Sequence, residues 1–378
     1  MKRRRPKRSI FNTTTIIPTS IYSLEKDEIY PYERFTYNIL HVGAEVLHKR
    51  ELPGNILVCF QIPQIGNAWS FNSGITSLSG NNEEVDSYKI IIPELFPSLL
   101  YIYCFRVANK FGEDNTTGLD LLEALIQYVH IGNKMVSSYK VDGLAHAIRC
   151  GYEFCELSIW DLEDISEIYN LLSKQIAYHE IAHAYSIKKI NRNMSPAEKC
   201  GFEYVADILS IFWFYTEMIA NTPNTKEYRE FRKKDSYSEC ITQNAKLSLN
   251  SIMNTLLLFG ISRAQIEKGI VKYDGTVTHP NSLLRYIVQS TVFLTLLESN
   301  YRDILCVEQF DEIETMHNFG QEIILGSGLI DSSAVMELFN RCERENLEKA
   351  ADLIESEKIH ELDDVKLFIR NNILDKIT

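Results

Sequence analysis

The sequence has no long apolar run, no paired-cysteine motif and no excess of positive charge, and each absence removes a class of function. The longest apolar stretch begins at Ile208 and is interrupted at Glu217, far short of the roughly 18–20 residues a membrane-spanning helix needs. The eight cysteines include no C-x-x-C pair. The nearest two, Cys150 and Cys155, have no second pair to complete a metal site. Reduced core thiols in a cytoplasmic protein are the expectation. A net charge of −12 and a pI near 5.3 argue against a protein that binds phosphate backbones over its whole surface. There is no internal repeat and no low-complexity segment.

Positive charge is concentrated in one place. The first eight residues, MKRRRPKR, hold six of the 39 basic side chains. They read as a solvated arm, or as a contact for an acidic partner, RNA or an anionic membrane surface. No apolar run follows them in residues 9–20, SIFNTTTIIPTS, so a secretory signal is not expected. Nucleic acid enters only as a partner of residues 1–8.

With 378 residues, 45% of them hydrophobic, the chain has material for two or three domains. Residues 1–30 read as a basic, irregular arm. A helical period runs from Tyr32 to about Arg50, and NILVCFQI from Asn55 to Ile62 reads as a buried strand. Gln64–Asn82, rich in Gly, Ser and Asn, reads as a loop. Lys89–Ile92 is a second strand candidate and Leu99–Val107 a third. Thr117 is placed to cap a helix from Gly118 to about His130. Further helices are expected from the acidic stretch at 160–168 onward and over 196–220, 244–259 and 281–299, with two charged amphipathic helices from about Ser332 to Ile377. The expected fold is α+β and predominantly helical. It divides into an arm (1–30), a mixed α/β region (31–160), a helical core (161–300) and C-terminal helices (301–378).

His179-Glu180-Ile181-Ala182-His183 is an H-E-x-x-H motif. A helix brings residues i and i+4 to one face, so both imidazoles can reach one ion about 2 Å from each nitrogen. Glu180 follows the first imidazole, where its carboxylate can reach a water in the open coordination position without binding the ion itself. A catalytic zinc site needs a third protein donor. The pattern with Gly and His at three and six residues beyond the second His is excluded by Ser186 and Lys189. A glutamate on the next helix is the other common solution. That helix is announced by Ser195-Pro196-Ala197-Glu198, a capping box with proline at the first helical position.

On it lies Glu203-Tyr204-Val205-Ala206-Asp207, with Glu203 20 residues after His183. Glu203 is the expected third donor and Glu198 the fallback. Asp207, one turn further on, is placed to accept the free N–H of a coordinating imidazole. The alternative is that both acids form the solvated face of an ordinary helix. Six other histidines, His41, His48, His130, His146, His317 and His360, have no partner spacing and read as ordinary surface or core residues. The run Ile211–Tyr215 reads as helix core.

H-E-x-x-H followed by E-x-x-A-D resembles the gluzincins, the glutamate-zincin peptidases typified by thermolysin. Thr278-His279-Pro280 with Arg285 resembles the T-H-P…R segment of the HtpX and CAAX-prenyl endopeptidase group, membrane enzymes whose spanning helices this chain lacks. A similar motif set occurs in the soluble phage-exclusion protease Lit. The resemblance covers roughly residues 165–300. It implies a zincin-like core holding one Zn²⁺ per chain between His179, His183 and Glu203, with Glu180 as catalytic base. It also makes His179 the partner of Asp207, gives His279 the oxyanion-stabilising role, and leaves Arg285 as a substrate-contacting or structural residue. The implied activity is intracellular hydrolysis of peptide bonds in a protein substrate, switched on by a peptide or protein trigger, as in antiphage defence. Two alternatives stand beside it: a catalytically silent zinc-fold binding module, and a nucleic-acid-associated protein acting through residues 1–8.

Overall fold

The computed structural model describes residues 13–49, 55–61, 75–79, 86–112, 117–157, 161, 165–186, 196–220, 234–266 and 282–326. The basic cluster at 1–8, the Thr278–Pro280 segment and the expected C-terminal helices at 332–377 lie outside them. Four strands and ten α-helices follow in chain order among the described residues. They are β1 (Thr13–Ile16), α1 (Thr19–Tyr22), α2 (Lys26–Lys49), β2 (Asn55–Gln61), β3 (Ile75–Ser79), β4 (Asp86–Pro93), α3 (Phe96–Arg106), α4 (Gly118–Asp142) and α5 (Leu144–Cys155). The second half contributes α6 (Ser166–Ser186), α7 (Pro196–Tyr215, continued by a π-helical turn at Thr216–Ala220), α8 (Lys234–Ile266), α9 (Ser282–Tyr301) and α10 (Val307–Gly326). The chain is therefore predominantly helical with one small sheet, as expected.

The sheet has the order β1-β2-β4-β3. β1 and β2 run parallel, with α2 in the crossover between them, and β2 and β4 run parallel in register Val58↔Ile90. β3 pairs antiparallel with β4 and forms one edge. Three expectations need correction here. Residues 13–30 are not irregular, since they supply β1, α1 and the start of α2. The polar stretch 64–82 contains β3, because pairing with β4 satisfies a backbone that its own sequence does not drive into a strand. Leu99–Val107 is not a strand but most of helix α3. Every residue from Phe96 to Cys104 is buried, so no polar face marks the 3.6-residue period, and β-branched and aromatic content points the wrong way.

Local chemistry fixes the remaining helices. Thr117 caps α4 through a reciprocal capping box with Asp120. Gly143 separates α4 from α5 at φ +84°, a conformation that favours glycine. One apolar cluster extends from Ile21 to Ile324, and α6 runs through it. From Leu171 to Ala182 only Lys174 is not fully buried. α6 is thus a core helix that carries the polar side chains Ser173, Gln175, His179 and Glu180 into the interior.

Helix α6 packs on α2, α3, α7, α8 and strand β3. The α2 contact is pinned by Arg34 Nε donating to Asn170 Oδ1 at 3.0 Å and Asn38 Nδ2 donating to Ser173 Oγ at 2.5 Å. Gly43 lets α2 approach strand β2, because a Cβ there would sit 2.1 Å from Ile56 Cδ1.

Candidate metal centre

Helices α6 and α7 pack side by side and bring three donors together. His179 and His183 lie one turn apart on α6, and Glu203 faces them from α7. The two Nε2 atoms are 3.2 Å apart. The Glu203 carboxylate oxygens lie 3.5 Å from His179 Nε2 and 3.7 Å from His183 Nε2. A tetrahedral ion held at 2.0–2.1 Å separates its donor atoms by roughly 3.3 Å. Among the described residues the three side chains thus form a group that could hold a metal ion, a two-imidazole, one-carboxylate donor set. The His179 side chain is 7% exposed, and His183 and Glu203 are 14% and 13% exposed. The donors are sheltered, and His183 and Glu203 keep a small exposed fraction.

Behind His179 stands a fully buried charged pair. Asp207 Oδ1 lies 3.0 Å from His179 Nδ1. Arg285, on α9, grips the same carboxylate with two bonds, Nε to Oδ2 at 2.8 Å and Nη2 to Oδ1 at 2.7 Å. The fork-to-carboxylate geometry makes this a strong, directional pair. Arg285 Nη2 also approaches both nitrogens of the His179 ring, Nδ1 at 3.4 Å and Nε2 at 3.3 Å. The guanidinium carbon sits 5.4 Å from the centre of the Phe259 ring, which lies 6.3 Å from the His179 ring.

These contacts set the protonation of the metal-free site. Burial alone would push His179 down, but the acceptors Asp207 and Glu203 outweigh it and raise the imidazole to about 9. Burial likewise pushes Asp207 up, and the Arg285 charge and the His179 contact overcome it, holding the carboxyl below its usual value. Arg285 is driven further above its ordinary value by Asp207, against the effect of burial. Asp207 is therefore a fixed anion whose role is to accept hydrogen bonds. With Nδ1 facing Asp207, Nε2 is the nitrogen turned toward Glu203 and His183, and loss of the Nε2 proton leaves the tautomer a metal ligand requires.

Each residue singled out from the sequence can now be placed. His179, His183, Glu203, Asp207 and Arg285 converge. Glu180 is buried on α6, one residue beyond His179. The solvated-face alternative for Glu203 and Asp207 fails, because Asp207 is 0% exposed. His279 lies outside the described residues, as does the side chain of Glu198. Among the remaining histidines, His41 and His146 are surface residues beside Glu45 and Asp142, and His317 is stacked on Tyr286. Ile211–Tyr215 is helix core, with only Phe212 partly exposed.

Phe259 was not anticipated, and nothing in its sequence neighbourhood marks it. Gln175 was also missed, although its position four residues before His179 on the same stripe was a usable signal. Among the described residues no helix is long and apolar enough to cross a membrane. Comparison with protein-family models, with curated proteins and with solved structures returned no match.

Proposed function

We propose that the chain is a zinc peptidase of the gluzincin type, hydrolysing peptide bonds of a protein substrate from the centre on α6 and α7. The observation that carries the reading is the donor triangle of 3.2, 3.5 and 3.7 Å between His179, His183 and Glu203, backed by Asp207 on the far nitrogen of His179. Zinc, when bound, supplies a Lewis acid that polarises a carbonyl and brings the pKa of water to about 7. Glu180 serves as general base toward the attacking water and returns the proton to the leaving amine. His279 steadies the oxyanion that develops on the carbonyl oxygen.

Arg285 acts behind the centre rather than on the substrate, since its Nε and Nη2 are both engaged with the buried Asp207 carboxylate. Asp207 in turn keeps the His179 ring oriented. Strand β3, at the sheet edge and packed against α6, supplies backbone groups on which an extended peptide can add as a further strand. The motif set shared with Lit extends the proposal to a protease kept silent until a peptide or protein trigger arrives, in antiphage defence.

The test compares wild type with His183→Ala, Glu203→Ala and Glu180→Gln. Wild type holds one zinc per chain by elemental analysis, and the first two variants lose most of it. Glu180→Gln keeps zinc and thermal stability but loses roughly 10²–10⁴-fold in turnover, read by proteomic detection of new peptide termini. Full turnover in Glu180→Gln ends the peptidase reading and leaves a metal-holding module. Zinc retained in Glu203→Ala shows that the third donor lies elsewhere.

A further inference from the structure

One helical turn beneath the metal centre lies a second polar cluster that no catalytic role uses. Gln175 on α6 is its hub. Its Oε1 accepts from Ser251 Oγ at 2.8 Å and from Thr255 Oγ1 at 3.2 Å, both on α8. Its Nε2 donates to Gln289 Oε1 on α9 at 3.3 Å. All four side chains are at most 3% exposed, so each bond is made in a low-dielectric interior where losing it leaves a polar group stranded.

The register of this cluster is its telling feature. Gln175 precedes His179 by four residues, Thr255 precedes Phe259 by four, and Gln289 follows Arg285 by four. Gln175, Thr255 and Gln289 therefore each lie one turn, about 5.4 Å, from a residue of the site on their own helix, and Ser251 lies one turn further along α8. Apolar packing between α6, α8 and α9 is non-directional and sets their rotation only loosely. Hydrogen bonds are directional and lose strength steeply when bent. A catalytic constellation has to be held within about 0.5 Å and 10–20°.

We propose that Gln175 is a positioning residue for the metal centre. By locking the mutual rotation of α6, α8 and α9, it keeps Arg285 on Asp207 and so keeps the His179 ring aimed at the ion. The inference rests on the metal reading proposed above and adds a residue that never touches the metal.

The experiment uses cobalt(II) on the full chain after zinc removal, because its visible absorption reports ligand geometry and its titration reports affinity. Gln175→Met keeps length and volume but removes the amide. Its expected signature is a shifted cobalt spectrum and about 10-fold weaker cobalt binding, the low end of the range for groups that support a ligand. A triple variant, Gln175→Met with Ser251→Ala and Thr255→Val, removes the stranded hydroxyls as well. It is expected to recover the melting temperature while keeping the altered spectrum and affinity. Stability alone, the purely structural role, predicts wild-type cobalt spectra and affinity in every folded variant, and that result overturns the proposal. A triple variant that regains wild-type cobalt binding along with its stability overturns it too. A wild type that binds no cobalt overturns the metal reading itself.

Discussion

Two buried carboxylates in this molecule are held in opposite ways. Glu94, at the end of β4, accepts from two neutral hydroxyls, Ser20 Oγ at 2.9 Å and Tyr139 OH at 3.0 Å. Asp207 is held by a bidentate guanidinium at 2.7 and 2.8 Å and an imidazole nitrogen at 3.0 Å. The first arrangement ties α1 and α4 to the sheet and needs no charged partner. The second sets a cation, an anion and a ring in a row that is almost wholly buried. Removing two charges from water costs several kcal/mol per ion, and replacing such pairs with apolar residues is often neutral or stabilising. Stability does not account for the Asp207 arrangement, whereas the orientation of His179 does.

The sharpest break of that comparison is Arg285→Met. It leaves Asp207 buried opposite His179 alone, and its expected cost is about 3–5 kcal/mol by denaturant unfolding. Glu94→Gln keeps the shape and one acceptor oxygen, and its amide N–H can donate to the hydroxyl it no longer accepts from, so its expected cost is only about 1 kcal/mol. Metal titration should separate the two further, with affinity unchanged in Glu94→Gln. Equal costs for the two variants would mean that the Asp207 pair is no more than another buried hydrogen-bonded carboxylate.

Asp207→Asn is the subtler probe. The amide fills the same space and can still accept from His179 and Arg285 Nη2 through its oxygen, but it loses the acceptor for Arg285 Nε and the charge that holds the imidazole in one tautomer. Zinc affinity, measured by chelator competition, should fall roughly 10–100-fold with the fold intact. An unchanged affinity would reduce the Asp207–His179 contact to packing.

How much of this contrast could be read from the sequence depends on how local each signal is. The Asp207 side was largely legible. His179, His183, Glu203 and Asp207 are spaced by helical turns on two segments, and turn spacing survives folding because the helix enforces it. Arg285 was visible only as part of a resemblance, and its partner was not, since nothing local couples residues 78 positions apart. The Glu94 side was not legible at all. It joins a short N-terminal helix, a strand end and the last turn of α4, three segments whose meeting depends on the whole sheet. The sheet was half legible for the same reason. β2 and β4 declare themselves by apolar runs, but β3 owes its conformation to β4, and α3 hid its period because all its faces are buried. Gln175 shows the limit from the other direction, because its position relative to His179 was in plain view while its partners on α8 and α9 were not.

The smallest effect expected is a slope in stability with pH, and it tests the electrostatic half of the comparison without touching the metal. In the metal-free protein His179 is raised to about 9, above the roughly 6.5 of an unfolded chain. The folded state therefore holds more protons than the unfolded state between those values, and stability must fall as pH rises through that window. The contribution is complete below about pH 6.5 and gone once pH has passed about 9. Asp207, held low, works in the acid range, where its contribution is lost as pH falls through its folded value. It adds no slope of its own above neutrality. His317, lowered by burial, is lost in the same acid direction and does not mimic the alkaline loss. Unfolding of chelator-treated protein at intervals from pH 6.5 to 9 should show the decline in wild type and in Glu94→Gln. Asp207→Asn, having lost the acceptor charge that raises His179, should show a flatter profile. A wild-type curve as flat as that of Asp207→Asn would mean that burial, not Asp207, governs the ring, and that the two carboxylates differ in geometry alone.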